Sequence, residues 1–277
     1  ILNSDSAVSS AAARMVTVAA GRSIIEMGSR RTHEYAAVTA ARAAYLAGFD
    51  ATSNLEAARR YGIPASGTAA HAWTLLHVDD NGMPDEKAAF QAQIDALGVG
   101  TVLLVDTFDI AQGVKNAVEV AGPELGGVRI DSGDLGVLTR EVRTQLDELG
   151  ATKTKIVVSS DLDEFTIAAL RSEPVDTFGV GTSVVTGSDA PTAGLVYKLV
   201  EVDGIPVTKR ASHKESKGGA KNAVRVARPT GTIVEEILYR TDDGTWQRTD
   251  YAATWDRVLR MGSALSGMGV GPGSKVG

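Results

Sequence analysis

Thr101-Val102-Leu103-Leu104-Val105, Gly127-Val128-Arg129-Ile130 and Lys155-Ile156-Val157-Val158-Ser159 are three short, nearly all-apolar runs, with helical patterns between them at Ile110 to Val120 and Leu135 to Leu149. A strand with one wet face alternates apolar and polar residues, whereas a strand apolar throughout must be covered on both faces. Connections long enough to hold a helix join parallel strands. The order β-α-β-α-β therefore predicts a parallel sheet clothed by helices.

The same texture continues on both sides. Upstream, the chain opens in helical pattern around Ser6 to Met15, Ser23 to Met27 reads as a strand, and His33 to Leu46 as a helix. Ala51 to Ser53 and Ile63 to Gly67 are further candidate strands, Leu55 to Arg60 and Lys87 to Leu97 further helices. Downstream, a helix over Glu164 to Arg171 precedes a strand over Asp176 to Val180. The expected fold class is α/β, with a core over residues 1–187. Periodicity leaves open whether its sheet is doubly wound or curled into a barrel. After Gly187 the pattern turns β-rich over 188–241: Leu195 to Val202 and Ile205 to Lys209 flank Asp203-Gly204, a hairpin signal. Lys214 to Lys221 reads as a basic loop and Thr232 to Tyr239 as a strand. A third texture occupies 242–277.

Of 277 residues, 43% are apolar and 22% charged, and the net charge is −6 with both signs interspersed. That balance gives no reason to expect nucleic acid or an anionic membrane as partner. Cysteine is absent, which excludes disulfides and thiolate metal sites and fits a reducing, cytoplasmic setting. No run reaches the ~18 apolar residues of a membrane span.

Polar residues gather where the strands end. Arg30 and Arg31, His71, Asp106, Asp131 with Asp134, Asp161, and Gly181-Thr182 all fall at or just past the carboxyl ends of expected strands. Both α/β architectures bind ligands there. Ser159-Ser160-Asp161 and Gly179-Val180-Gly181-Thr182-Ser183 offer small residues whose exposed backbone N–H groups suit a phosphate. Each signal has a plainer reading. Arg30-Arg31 can be a solvated pair, His71 a satisfied or capping histidine, and the aspartates around Ser132-Gly133 an N-cap for the helix at Leu135. Arg129 is harder to explain away, because a charge inside a buried strand needs a partner or a task. Gly269 to Lys275 is no phosphate loop, since Ser274 separates the glycine from the lysine.

Glu26-Met27-Gly28-Ser29-Arg30-Arg31, Gly48 to Asn54, Gly67-Thr68-Ala69-Ala70-His71-Ala72, Arg129-Ile130-Asp131-Ser132-Gly133-Asp134-Leu135 and Gly179-Val180-Gly181-Thr182 stand in the order and spacing of nicotinate phosphoribosyltransferases. The resemblance runs from Ile1 to about Glu236. It implies the type II phosphoribosyltransferase fold, an irregular and incomplete α/β barrel, and a homodimer with the active site at the subunit boundary. The implied reaction joins nicotinate to phosphoribosyl pyrophosphate, giving nicotinate mononucleotide and pyrophosphate with ATP hydrolysis, in NAD biosynthesis. His71 matches the histidine that takes the phosphoryl group from ATP, and Asp131 the carboxylate beside the anomeric carbon. Arg30, Arg31 and Arg129 match substrate-contacting arginines, and Ser160, Asp161, Gly181 and Thr182 the loops around the 5′-phosphate. Asp50 resembles a ring-substituent contact, without deciding acid against amide. Magnesium is implied with the pyrophosphate, held by substrate oxygens and water, with no protein ligand assigned.

Two departures accompany the resemblance. The family carries an N-terminal region, with an aromatic residue that stacks on the nicotinate ring, that this chain lacks; the chain reads as a fragment, and the alternative is a non-catalytic remnant or chimera that folds and dimerises. From about Asp243 the sequence is similar instead to the N-terminal start of acyl-CoA synthetases and other adenylate-forming enzymes, and stops before any of their catalytic motifs.

Overall fold

The computed structural model describes residues 2–191, 196–211, 217–240 and 246–249. The chain divides at residue 195 into two compact units.

The first unit is built on six parallel strands: β1 (Ser23–Glu26), β2 (Ala51–Thr52), β3 (Val102–Leu104), β4 (Gly127–Ile130), β5 (Lys155–Val158) and β6 (Thr177–Val180). Their order across the sheet is β2-β1-β6-β5-β4-β3. This order settles the choice that periodicity left open. A doubly wound sheet reverses direction at a switch point; here the chain moves one way from β3 to β6, and β1 then pairs with β6, as in a barrel. Closure fails between β2 and β3, so the sheet is a curled half-barrel.

Helices cover this sheet: α1 (Leu2–Ala19), α2 (Glu34–Leu46), α3 (Leu55–Tyr61), α4 (His71–Leu76), α5 (Glu86–Leu97), α6 (Ile110–Ala121), α7 (Leu135–Glu148), α8 (Glu164–Ala169) and α9 (Thr182–Val185). Their starts are encoded locally, because Asn54, Asp85, Asp109, Asp134 and Asp163 each cap the helix that follows. Alanine sets the spacing of α1 and α2. Ala11 and Ala12 on one helix and Ala43 and Ala44 on the other are fully buried, close enough for Ser9 Oγ to donate to Ala43 O at 2.9 Å. Beneath them the core is Ile24, Leu103, Val128, Ile130, Ile156, Val158, Phe178 and Val180 from the strands, with Val114, Leu146 and Ile167 from the helices. Burying each such side chain contributes roughly 1.5–3 kcal/mol.

One expected strand is absent. Ile63 to Gly67 reduces to a single bridge between Ala65 and Thr52. Pro64 has no N–H for a ladder, and its carbonyl accepts from Thr52 N instead.

In the second unit, Asp203 and Gly204 both have positive φ, 49° and 80°, and turn β7 (Glu201–Val202) into β8 (Ile205–Pro206). This hairpin is shorter than the flanking runs suggested. β9 (Lys221–Ala227), β10 (Ile233–Arg240) and β11 (Trp246–Thr249) form an antiparallel sheet in the order β11-β10-β9. β9 was not expected beyond the basic loop. Apart from β11, the stretch from about Asp243 for which a likeness to adenylate-forming enzymes was expected lies outside the described residues.

Candidate active site

Because all six strands are parallel, their carboxyl ends share one rim, and a cleft of about 460 Å³ opens there. Arg129, on β4, is the hub. Its guanidinium is mostly buried and its donors are spent on three segments: Nε donates to Ser159 Oγ (2.7 Å), Nη1 to Thr68 Oγ1 (2.7 Å) and Nη2 to Asp131 Oδ1 (2.7 Å). The charge that the sequence placed inside a buried strand thus has both partners and position.

Asp131 is held in turn by Ser159, whose hydroxyl donates to Oδ1. Burial pushes the Asp131 carboxyl up, but the Ser159 hydrogen bond, the Arg129 charge and hydrogen bond, and His71 together outweigh it and hold the pKa below the usual 3.8. Asp131 is therefore an anion at neutral pH. Of the two aspartates around Ser132-Gly133, the capping reading holds for Asp134, which accepts from Gly136 N and Val137 N, whereas Asp131 faces the cleft.

His71 is the first residue of α4, and its imidazole reaches back toward the same carboxylate. Nε2 lies 3.7 Å from Asp131 Oδ2 and 3.8 Å from Asp106 Oδ1, while Nδ1 is 3.1 Å from Thr107 Oγ1. Asp106 is buried; Oδ2 accepts from Asp131 N and Ser132 Oγ, and Oδ1 has no hydrogen-bond donor among the described residues. Two carboxylates beside Nε2 favour the proton there, which makes Nδ1 the lone-pair side of the ring, facing the Thr107 hydroxyl. The His71 imidazole and the Arg129 guanidinium thus approach one carboxylate, that of Asp131, which lines the cleft.

The rest of the rim supplies anion-binding groups. Arg30 and Arg31 stand exposed on a short 3₁₀ turn, Ser29–Arg31, and line the cleft with no ion-pair partner among the described residues. Ser160, Asp161, Gly181 and Thr182 line it from the loops after β5 and β6. Ser160 has φ 111°, a strained backbone of the kind found at ligand clamps.

One candidate does not belong. Asp50 precedes β2, at the amino end of the sheet, and its carboxylate accepts from Ile24 N (2.8 Å). It ties two strands together at the end away from the cleft; Ser53, past the carboxyl end of β2, lines the cleft instead. Sequence reasoning also left Thr68 and Thr107 without roles, and read Ser159 only as part of a phosphate loop, not as the hydroxyl between Arg129 and Asp131. For Thr68 the signal was its place three residues before His71, and for Ser159 its place at the end of β5.

No group of three or more His, Asp or Glu side chains converges as a metal cage among the described residues, and no helix there is long and apolar enough to cross a membrane.

Comparison with known proteins agrees over this whole region. The model of the nicotinate phosphoribosyltransferase (NAPRTase) family matches residues 22–235. The chain is 68% identical over 241 residues to nicotinate phosphoribosyltransferase pncB1 of Mycobacterium tuberculosis, covering 86% of this chain and 54% of that protein. It is 42% identical over 213 residues to the Bacillus subtilis nicotinate phosphoribosyltransferase, covering 73% and 42%. The chain spans about half the length of the curated relatives it matches. Among solved structures, human nicotinic acid phosphoribosyltransferase superposes with a TM-score of 0.64 at 28% identity, covering 88% of this chain and 57% of that one. A nicotinate-nucleotide pyrophosphorylase from Pyrococcus furiosus gives 0.68 at 28% identity, covering 88% and 60%. From the half-barrel, the rim residues and these matches, the chain belongs to the nicotinate phosphoribosyltransferase family.

Proposed function

We propose that this cleft carries out nicotinate phosphoribosyl transfer in NAD salvage: nicotinate and phosphoribosyl pyrophosphate give nicotinate mononucleotide and pyrophosphate, with ATP hydrolysis coupled to the reaction. The observation that carries the reading is the convergence of His71, Arg129 and Asp131 on one rim with two small-residue loops.

In this reading the pyridine nitrogen forms a bond to the anomeric carbon as the bond to pyrophosphate breaks. Asp131, anionic and fixed by Ser159 and Arg129, stabilises the positive charge that develops there. Arg30 and Arg31 meet the carboxylate or the pyrophosphate, and the loops at Ser160-Asp161 and Gly181-Thr182 hold the 5′-phosphate. Magnesium arrives with the pyrophosphate as part of the substrate, held by its oxygens and water. The His71 Nδ1 lone pair attacks the γ-phosphorus of ATP, the bond to ADP breaks, and the phosphoryl group later passes to water as phosphate. Asp106 and Asp131 keep the Nε2 proton and offset the positive imidazole. The working form is a homodimer sharing this site, in a reducing cytoplasm. The stretch 243–277 is read as the start of an adenylate-forming enzyme, without catalytic motifs of its own.

The test supplies nicotinate, phosphoribosyl pyrophosphate, ATP and magnesium to the chain, alone and within a polypeptide of a relative's full length. Nicotinate mononucleotide should form, and His71→Ala should abolish the ATP dependence while leaving a slow ATP-independent rate. Product formation by neither version rejects the reading. An ATP effect unchanged by His71→Ala removes the histidine from it.

A further inference from the structure

Glu26 is a buried carboxylate for which the mechanism above has no use. It ends β1, is 1% exposed, and has no cation bonded to it among the described residues. Desolvation raises its pKa, only partly offset by Thr52 and Gly28. A lone buried carboxyl is costly, so its bonds show what it maintains. One oxygen, Oε1, accepts from Gly28 N, and the other, Oε2, from Thr52 Oγ1. Thr52 Oγ1 then accepts from Asn54 N, and Asn54 Nδ2 donates to Ser29 Oγ at 3.0 Å. The path returns to the turn from which it began, because Arg31 N donates to Gly28 O at 2.8 Å. Three of these bonds end on the turn itself, at Gly28 N, Ser29 Oγ and Arg31 N, and the other two tie it to the segment after β2; Ser29, Arg30, Arg31 and Ser53 all line the cleft. The other side of the turn is closed by packing. A Cβ on Gly28 would lie 2.2 Å from Val185 Cγ1 and 2.9 Å from Gly181 O, so the turn is wedged against the loop that carries Thr182.

We propose that Glu26 is the positioning residue of the arginine pair: by closing on the Gly28 amide and the Thr52 hydroxyl it sets the turn that presents Arg30 and Arg31 to an anionic substrate. It touches no substrate itself. The inference rests on the reading of Arg30 and Arg31 as anion-binding groups. A long flexible side chain reaches many places, and its value in a cleft depends on how firmly its backbone is held.

The experiment is a double-mutant cycle on Glu26→Gln and Arg30→Ala, read as KM and kcat for nicotinate and phosphoribosyl pyrophosphate, with a thermal melt for each variant. Glu26→Gln should raise the KM of the substrate served by Arg30 by roughly tenfold, with kcat within about twofold. In the Arg30→Ala background the same change should add less than about twofold, since its effect passes through that arginine. Equal, multiplicative effects in both backgrounds would overturn the proposal, because a merely structural loss does not depend on Arg30. Should Glu26→Gln fail to fold, Thr52→Val, which removes the two bonds made by the Thr52 hydroxyl and leaves Glu26 on the Gly28 amide, must give the same pattern at smaller size. Should the parent form no nucleotide, the function assigned above fails, and calorimetric binding of inorganic pyrophosphate replaces the assay. Affinity lost in Glu26→Gln, but not lost further beside Arg30→Ala, then supports the proposal. Unchanged affinity, or none in the parent, overturns it.

Discussion

Arg129 spends its guanidinium on Ser159, Thr68 and Asp131, and so does two jobs: it fixes the segment leading to His71 and orients the carboxylate that the histidine faces. Arg129→Lys keeps the charge but offers one ammonium where a planar fork met three acceptors. It should cost about 1–3 kcal/mol in stability, measured by denaturant unfolding, and lower kcat/KM at least ~100-fold. The pH dependence of stability separates the buried carboxyl of Glu26 from the partly buried one of Asp131. Glu26 has its pKa raised above 4.5, so its contribution is full below the unfolded value and is lost as pH rises through the folded one. Glu26→Gln, neutral throughout, should give a flatter stability curve from pH 4.5 to neutrality than the parent. Asp131 has the opposite sign: its contribution is present above 3.8 and lost as pH falls through the lower folded value. A parent-minus-Glu26→Gln stability difference that grows as pH rises from 4.5 to neutrality would contradict this assignment. At this scale the sequence was informative wherever chemistry is written in residue type and place. Arg129 declared itself as a charge in a buried strand, whereas Glu26, placed alike at the end of β1, was read only as part of a motif. Asp50 misled because a motif gives order along the chain and not which end of a strand a carboxylate serves. Thr107 and Ser159 acquire roles only through side chains from other segments, which no local pattern contains.

Elements were legible where the local code is strong. Helical patterns between the strand runs located most of the helices, though not α9, and unbroken apolar runs located the buried strands. Ile63 to Gly67 looked apolar enough to pair but carries a proline that cannot donate to a ladder. β9 escaped because its residues are exposed along its whole length, leaving no buried face to mark it. Two glycines illustrate the difference between local and tertiary demands. Gly62 ends α3 at φ 69° with open space around it, so Gly62→Ala should cost about 1 kcal/mol and leave kinetics unchanged. Gly28 has no room for a methyl group between Val185 and Gly181, so Gly28→Ala should cost about 1–3 kcal/mol and also raise KM, because it moves the arginine turn. Melting curves and steady-state kinetics on the two variants check this; an unchanged KM in Gly28→Ala would show that the turn tolerates displacement.

For the α/β unit as a whole, the sequence carried the class of fold but not its closure. Alternating β and α segments imply parallel strands; only the pairing of β1 with β6 makes the sheet a half-barrel. That pairing joins Ser23–Glu26 to Thr177–Val180, and a contact so distant along the chain leaves no periodic trace. Its consequence is functional, for it brings the arginine turn after β1 beside the Gly181-Thr182 loop after β6, on the rim where Arg129 and Asp131 emerge from β4. The candidate site is thus a product of topology, which adds Ser53, Thr68 and Thr107 to residues the sequence had singled out and leaves Asp50 aside. A crystal structure with nicotinate mononucleotide bound tests this most directly. The 5′-phosphate should lie against Ser160-Asp161 and Gly181-Thr182, the ribose beside Asp131, and the pyridine carboxylate toward Arg30 and Arg31, with His71 facing the same cavity. A nucleotide bound away from this rim, or bound there with its phosphate remote from both loops, would contradict the account.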